Sequence, residues 1–347
     1  MQYRTKKILS SKLRRAIRWE FWPMWIFYLP MVAYIVYLVF RFRGLKFLSV
    51  NPGMPMSGLI GERKAQSLLQ LKGSEFLARF ELLAPNSSIE QRVDQAKEIM
   101  SELNVTYPVV LKPDFGQRGA DVAVIRNDDQ LLDYLKSTTT SVLVQEYIGG
   151  EEFGVFYMSY PEENRNLIYS ITEKTFPVVI GDGQSSLEEL LMNNPRTHFM
   201  AEYLLDLHAQ RLGDVLDNGE SFKVVEIGSH CRGSVFLDGN KYITPALEKV
   251  MNEISEKVDG FNFGRYDIRI ENADLLSQGK GIKVLEVNGV TSESTNIYDP
   301  ENSVIDAYKI LFRQWYAAFE IGKQAINKGA PAVSLFAFFK HLKKTYI

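Results

Sequence analysis

Two short stretches late in the chain alternate polar and apolar residues: Arg265-Tyr266-Asp267-Ile268-Arg269 and Leu285-Glu286-Val287-Asn288. Strict alternation is how a half-buried strand reads. Paired as an antiparallel hairpin with Asp267 opposite Glu286, they centre a turn between Leu276 and Ser277, where Asn272, Ser277, Gly279 and Gly281 suit a loop. Upstream, apolar residues at Ile89, Val93, Ala96, Ile99, Met100 and Leu103 form the stripe of a helix over 89–103. Short apolar runs predict strands over 75–83, 107–111, 122–125, 141–147, 153–159, 167–171, 222–227 and 231–237. Helices are expected over 62–71, 128–135, 197–212, 244–258 and 304–323. Ser185 and Ser186, followed three residues on by Glu188 and Glu189, give a capping-box pattern for a helix reaching Met192.

One run fits none of these. Residues 21–40 carry no charge, and as a single helix they would measure about 30 Å, the thickness of a bilayer core. Arg4, Lys6, Lys7, Lys12, Arg14, Arg15 and Arg18 precede the run, and Arg41, Arg43 and Lys46 follow it. Trp19, Trp22, Trp25, Tyr28, Tyr34 and Tyr37 are aromatics of the kind found at membrane interfaces. Pro23 and Pro30 interrupt the run, which predicts a bent, re-entrant or in-plane anchor with both flanks cytoplasmic. The alternative is a buried helix of the protein core. A cleaved signal peptide is excluded by the bulky aromatics and the lack of a small-residue cleavage site. The tail from Pro331 mixes Leu335, Phe336, Phe338 and Phe339 with Lys340, His341, Lys343 and Lys344. Such a segment either lies on an anionic membrane surface or packs on the body with its basic face in water.

At 347 residues, 46% hydrophobic and 24% charged, the chain is long enough for two domains or one multi-lobed enzyme. A net charge of −2 makes no electrostatic case for nucleic acid. Cys231 is the single cysteine, which excludes an internal disulfide framework and a cysteine-rich zinc site. The four histidines are too scattered to form a metal site.

Candidate chemistry gathers around the hairpin. Glu286 and Asn288 share a strand face, and Asp267 opposite adds a second carboxylate. Two carboxylates and an amide oxygen suit Mg²⁺, and Mn²⁺ can take its place. The alternative is a pair of solvated charges on an outer sheet face. Lys112 ends the apolar strand 109–111, and the loop after it, Asp114-Phe115-Gly116-Gln117-Arg118-Gly119-Ala120-Asp121, can cradle phosphate with its amides while Arg118 clamps it. The strand 142–148 then bends through Gly149 and Gly150 to Glu151 and Glu152.

The order of these parts resembles the ATP-grasp superfamily, most closely the carboxylate–amine ligase branch that includes D-alanine–D-alanine ligase, glutathione synthase and cyanophycin synthetase. The resemblance runs from Tyr107 to Asp299 through VVLKP and its glycine loop, VQEYIGGEEF, Lys174 in SITEKTF, FPVVIGDGQSSLEELL, GRYDIRI and LEVN. It implies an α+β fold of two lobes gripping ATP. Expected divisions are the basic anchor at 1–50, a shortened N-terminal α/β lobe at 51–105, a small lobe at 106–180, a large lobe with the metal site at 181–328, and a basic tail at 329–347. By resemblance, Lys112 and Lys174 contact nucleotide phosphates, and Gly116, Gln117, Arg118 and Gly119 fold over them. Glu146, Tyr147 and Ile148 frame adenine, and Glu152 binds ribose. Asp267, Glu286 and Asn288 hold two Mg²⁺ ions, and Arg265, with Lys174, stabilises the transferring phosphoryl group. Lys64 is a further candidate of the small lobe. His230, Arg232 and Arg269 lie where an acceptor carboxylate would be met. After LEVN, D-alanine ligases carry a serine-proline-glycine turn, whereas this chain has Gly289-Val290-Thr291-Ser292-Glu293-Ser294-Thr295, which argues against a D-alanine substrate.

The expected activity is ATP-dependent joining of a carboxylate to an amine through an acyl phosphate, at the cytoplasmic face of a membrane. Its substrates would be small or lipid-linked molecules, nucleic acid is not expected as a partner, and a homodimer is allowed for. The competing readings are a kinase-like phosphotransferase and a membrane-tethered nucleotide-binding protein without turnover.

Overall fold

The uncharged run folds as pieces instead of one rod. In the computed structural model, which describes residues 2–61, 63–85, 88–116, 119–228, 230 and 233–346, helix α1 spans Gln2–Ile17, a 3₁₀ turn spans Trp19–Phe21, α2 spans Met24–Phe27 and α3 spans Leu29–Arg41. Pro23 is the N-cap of α2 and Pro30 lies in the first turn of α3, where the missing N–H has no intrahelical partner to lose. The prolines therefore start helices instead of kinking one. The 13 residues of α3 rise about 20 Å, well short of a bilayer core. No helix among the described residues is long and apolar enough to cross a membrane.

One side of this segment belongs to the protein core. Phe27 and Met31 pack with Ile297, Ala307 and Leu311, and Leu38 with Phe47, Phe156 and Phe319. The anchor expected over 1–50 is thus corrected, and with it the membrane association, the membrane partner and the placing of the chemistry at a membrane face. One face of the run is buried in the protein, while Trp25, Leu29, Val32, Val36 and Phe40 are exposed on the other.

Beyond the linker, α4 (Lys64–Leu69) leads to β1 (Phe80–Leu83), α5 (Ile89–Glu102), β2 (Val109–Pro113), β3 (Ala123–Ile125), α6 (Asp128–Ser137) and β4 (Val142–Glu146). These strands form an antiparallel sheet in the order β1-β4-β2-β3, backed by α5 and α6 over Ala96, Ile99, Leu131 and Leu135. Residues 80–83 thereby join the same sheet as Lys112, and α5 packs on it. The strand expected to start at Glu75 is shorter, because Phe76 and Ala78 bond instead to Val284 near the later hairpin.

The second sheet uses β5 (Glu151–Tyr160), β6 (Arg165–Thr175), β9 (Val235–Asp238), β10 (Phe263–Ile270) and β11 (Lys283–Asn288), in the order β11-β10-β5-β6-β9. Between them, β7 (Val178–Ile180) pairs with β8 (Ser221–Lys223), and α7 (Leu187–Asn193) and α8 (Ala201–Leu207) pack against this ribbon. The capping box forms at Ser186 and Glu189, with the hydroxyl and carboxylate each bonding the other's backbone N–H. Two helices, α9 (Pro245–Glu256) and α10 (Ala273–Ser277), precede and follow β10. The turn expected around Leu276 is therefore a short helix, capped by Asn272. The chain ends with α11 (Val304–Asn327) and α12 (Leu335–Tyr346).

Alternation gives the large sheet its two faces. Phe153, Val155, Tyr266, Ile268 and Val287 point into a core with Leu247, Met251 and Ile254 of α9. On the other face, Phe156, Met158 and Phe263 pack with Ala318, Phe319 and Ile321 of α11. Further along that second face, toward the small sheet, the residues become charged.

Candidate active site

The charged end of this face is built by strand register. Asp267 pairs with Glu286 and Arg265 with Asn288, as the alternation predicts, and the register slips between Asp267 and Ile268. In the neighbouring strands Asp267 faces Gly154, Arg269 faces Glu152, and Glu152 faces Lys174. Four strands thus bring Glu152, Lys174, Arg265, Asp267, Arg269, Glu286 and Asn288 to one surface. Gly154 matters for space: a Cβ there would lie 3.0 Å from Arg265 Cδ and 3.4 Å from Asp267 Oδ1.

Within this surface the ions are already paired. Lys174 Nζ is 2.9 Å from Glu152 Oε1 and 3.0 Å from Asp267 Oδ1. Arg265 donates to Asp267 through Nε at 2.9 Å and through Nη2 at 3.2 Å. Arg269 holds the other oxygen of Glu152 at 3.1 and 3.0 Å, and also donates to the backbone oxygens of Ile148 and Glu226. Burial pushes the carboxyls of Asp267 and Glu152 up, but the cations outweigh it and hold both below the ordinary carboxylate range. Burial likewise depresses Lys174, and Asp267 and Glu152 outweigh it to raise its pKa.

This alters the metal expectation. Asp267, Glu286 and Asn288 are neighbours, but Asp267 is spent on Arg265 and Lys174, and the Asn288 amide nitrogen is turned toward it at 3.4 Å. Among the described residues no group of three or more histidine, cysteine or acidic side chains is placed to hold a metal ion. The sequence predicts an open set of two carboxylates and an amide completed by phosphate oxygens and water, and these three side chains stand side by side on the paired strands. The carboxylate of Glu286 has no hydrogen-bond or ion-pair partner among the described residues, and it is the open end of the set.

Lys112 is its counterpart. It is buried at the end of β2, and its ammonium donates to the Leu285 backbone oxygen at 2.9 Å, with no described carboxylate in ion-pair contact. Burial lowers its pKa to about 8, opposed chiefly by the charge of Glu286. The adjoining loop begins with Gly116 and includes Gly119, both at positive φ (152° and 71°) that only glycine takes easily. Lys64, at the start of α4, donates to the Gly116 oxygen at 2.5 Å. Gln117 and Arg118 lie outside the described residues, as does Arg232.

The remaining expected residues are placed as follows. Glu146 is clamped by Arg79, which donates at 2.6 and 3.0 Å to its two oxygens. The Arg269 guanidinium lies 5.6 Å from the centre of the Tyr147 ring. His230 stands apart from the ion cluster, stacked on Tyr298 at 4.9 Å and on Phe21 at 5.5 Å.

Sequence reasoning passed over one group altogether. Glu293 accepts hydrogen bonds from the hydroxyls of Tyr28 and, at 2.9 Å, Tyr298, while its backbone oxygen accepts from Arg265 Nη1 at 3.1 Å. Arg265 therefore links Glu293 to Asp267. The one available signal was the departure from a serine-proline-glycine turn after Asn288. Nothing in the sequence connects Tyr28 to it.

Comparison with known proteins adds one partial match. Residues 69–154, well under half of the chain, match the RimK-like ATP-grasp domain. No curated protein sequence matches. Among solved structures, D-alanine–D-alanine ligase from Bacillus anthracis is 14% identical with a TM-score of 0.45, over 80% of this chain and 72% of that one. VanG D-Ala:D-Ser ligase from Enterococcus faecalis is 13% identical with a TM-score of 0.41, over 76% and 64%. The bifunctional glutathione synthetase from Pasteurella multocida is 17% identical with a TM-score of 0.38, and although 74% of this chain aligns, that covers only 37% of the longer enzyme. The segment matched to the RimK-like ATP-grasp domain contains Lys112, the glycine loop, Glu146 and Glu152.

Proposed function

We propose that this chain is an ATP-dependent ligase that joins a carboxylate to an amine through an acyl phosphate. The observation that carries the proposal is Lys112: a buried ammonium without an ion-pair partner among the described residues, beside a glycine loop, with the charge of Glu286 nearby. A buried cation left unpaired is costly, and a bound phosphate would relieve it. The similarity of residues 69–154 to a RimK-like ATP-grasp domain supports the same reading.

On this reading Lys112 and Lys174 neutralise nucleotide phosphates, and the loop from Gly116 to Gly119, with Gln117 and Arg118, covers them. The segment Glu146, Tyr147 and Ile148 borders the base, and Glu152 the ribose. Glu286, Asn288 and Asp267 would hold Mg²⁺ together with phosphate oxygens. Such a cation commonly keeps few protein ligands and completes its shell with phosphate and water. Bound Mg²⁺ supplies charge neutralisation on the phosphates. Arg265 is placed to stabilise charge on the transferring group.

The chemistry balances in two steps. An oxygen of the substrate carboxylate attacks the γ-phosphorus as its bond to the ADP oxygen breaks. The amine nitrogen then attacks the acyl carbon, the bond to phosphate oxygen breaks, and inorganic phosphate leaves with the amide formed. His230 and Arg232 remain candidates for the acceptor's carboxylate, whereas Arg269 would first have to give up Glu152. A coupled ADP-release screen of carboxylates and amines, with mass spectrometry of the products, tests the proposal. Amide formation with one ADP per product supports it. A stable phosphorylated product without amide would replace it with a phosphotransferase.

A further inference from the structure

Gln314 is a polar residue on the buried face of α11, with Leu311, Ala317 and Ala318 as its neighbours along that face. Its side-chain amide reaches the segment that follows β11. The oxygen accepts from the Ser294 N–H at 2.9 Å, and the nitrogen donates to the Ser292 backbone oxygen at 2.9 Å. Only this orientation of the amide makes both bonds, because the N–H donates and the carbonyl accepts. At the least, Gln314 satisfies buried backbone groups of an irregular segment. The residue between the two serines gives it a second part to play.

That residue is Glu293, whose backbone oxygen accepts from Arg265 Nη1 at 3.1 Å. The Glu293 carbonyl and the Ser294 N–H belong to one peptide unit, which is trans and planar. In a trans peptide the two groups point in opposite directions. Gln314 and Arg265 therefore hold opposite edges of the same rigid plane. Turning that plane loosens both bonds, and a hydrogen bond at its N–H polarises the carbonyl at the other edge. The other Arg265 contacts, through Nε and Nη2, go to Asp267 on its own strand. The guanidinium is thus fixed from two sides, and α11 sets one of them. The helix is itself tied to β6, the strand of Lys174, by the Tyr169 hydroxyl, which donates to the Ile310 oxygen at 2.8 Å. Thr295 adds a second tie, donating to Thr172 at 2.9 Å, two residues before Lys174.

We infer that Gln314 is a positioning residue of the proposed reaction: through the Glu293–Ser294 peptide it aims the Arg265 guanidinium at the group being transferred. This inference rests on the ligase reading and adds to it a residue from the far helix. The benefit belongs to the transition state, where charge develops on the phosphoryl oxygens. Loss of the Gln314 amide therefore lowers kcat and leaves nucleotide affinity in place. In a protein without the Arg265 guanidinium there is nothing left to aim, and the same loss has no further effect on turnover.

The test uses the full-length wild type, Gln314→Met, Gln314→Glu, Arg265→Ala and the Gln314→Met, Arg265→Ala double variant. Binding of Mg²⁺ with the non-hydrolysable analogue AMP-PNP is measured on each, and turnover is followed with the substrates found by the ADP-release screen. Gln314→Met should lower kcat about tenfold or more, with AMP-PNP affinity changed less than about twofold. In the Arg265→Ala background the same substitution should lower kcat less than about twofold. An equal loss in both backgrounds, a matching loss of AMP-PNP affinity, or unchanged turnover overturns the role of Gln314 with the ligase reading intact. Gln314→Glu adds a pH readout. Its ionised carboxylate would set an oxygen against the Ser292 carbonyl, whereas the protonated acid can donate there and still accept from Ser294. Burial favours the protonated form. The kcat of Gln314→Glu relative to wild type should therefore rise as pH falls, and a ratio that does not rise overturns the inference. Should Gln314→Met not fold, this ratio decides the matter alone. Failure of wild type to bind the magnesium–AMP-PNP complex overturns the ligase reading itself.

Discussion

The Lys112 ammonium donates to the main-chain oxygen of Leu285 at 2.9 Å, and through it the small sheet touches the strand that carries Glu286. Gln145 reaches the same oxygen at 3.3 Å. The seam between the two sheets is therefore polar, and among the described residues its Lys112 cation has no ion-pair partner.

That cation has a pH signature. Because burial lowers the Lys112 pKa to about 8, the unfolded chain binds more protons than the folded one between about pH 8 and the ordinary lysine range. Stability should rise with pH across that window, and Lys112→Met should remove this component of the slope. A bound phosphate favours the charged form. Nucleotide binding at mildly alkaline pH should therefore take up protons, seen by calorimetry in buffers of different ionisation enthalpy. Equal proton uptake by Lys112→Met would assign it to another group.

Asp267 and Glu286 face each other yet should respond differently to substitution. Asp267→Ala leaves Lys174 and Arg265 short of a buried partner, and should cost about 3–5 kcal/mol in urea unfolding. Glu286→Gln breaks no described contact, so its stability should change by less than about 1 kcal/mol. Its turnover should fall about 10²–10³-fold if it helps neutralise charge in the transition state. The Asp267 contribution has its own pH dependence. Its depressed carboxyl keeps the stabilisation intact above the ordinary carboxylate range, and loses it as pH falls through the lowered value.

Gly154→Ala tests the packing under Arg265. The added methyl would sit 3.0 Å from Arg265 Cδ, which is flexible enough to move, so stability should fall by only about 1 kcal/mol. Turnover should fall much further, about tenfold or more, because the guanidinium would shift from Asp267 and Glu293. A variant with lowered stability and unchanged turnover would show that this placement is not needed.

Asn51 supports β10 from beneath. Fully buried, it accepts from the N–H groups of Asn262 and Phe263 at 2.9 Å each and donates to the Phe263 oxygen at 2.7 Å. Asn51→Leu leaves these backbone groups unpaired and should cost about 3 kcal/mol. Asn51→Asp keeps the two acceptor bonds and sets an oxygen against the Phe263 carbonyl, so it should also destabilise. Chemical denaturation of the two variants measures both.

What could be read from the sequence was what local pattern controls. Alternation placed Asp267 opposite Glu286, because a one-residue slip would have exposed Tyr266 and Val287. The serine–glutamate spacing marked the cap of α7, because that motif is complete within one turn. The ionic partners were hidden for the opposite reason. Arg79 with Glu146, Arg269 with Glu152, and Tyr28 with Glu293 join residues far apart in the chain, and no period links them. The run 21–40 misled because a count of missing charges does not report where the chain breaks, and here it is divided between α2 and a 13-residue α3.

The early aromatic segment finds its seat on residues more than 260 positions further along the chain. Trp19 donates to the Asn302 oxygen, the Tyr308 hydroxyl donates to the Phe27 oxygen, and Tyr28 reaches Glu293. During synthesis these residues leave the ribosome long before their partners exist. Contacts of such wide separation form late, so the nascent chain carries these aromatic side chains unpaired until the residues around 293–308 have been made.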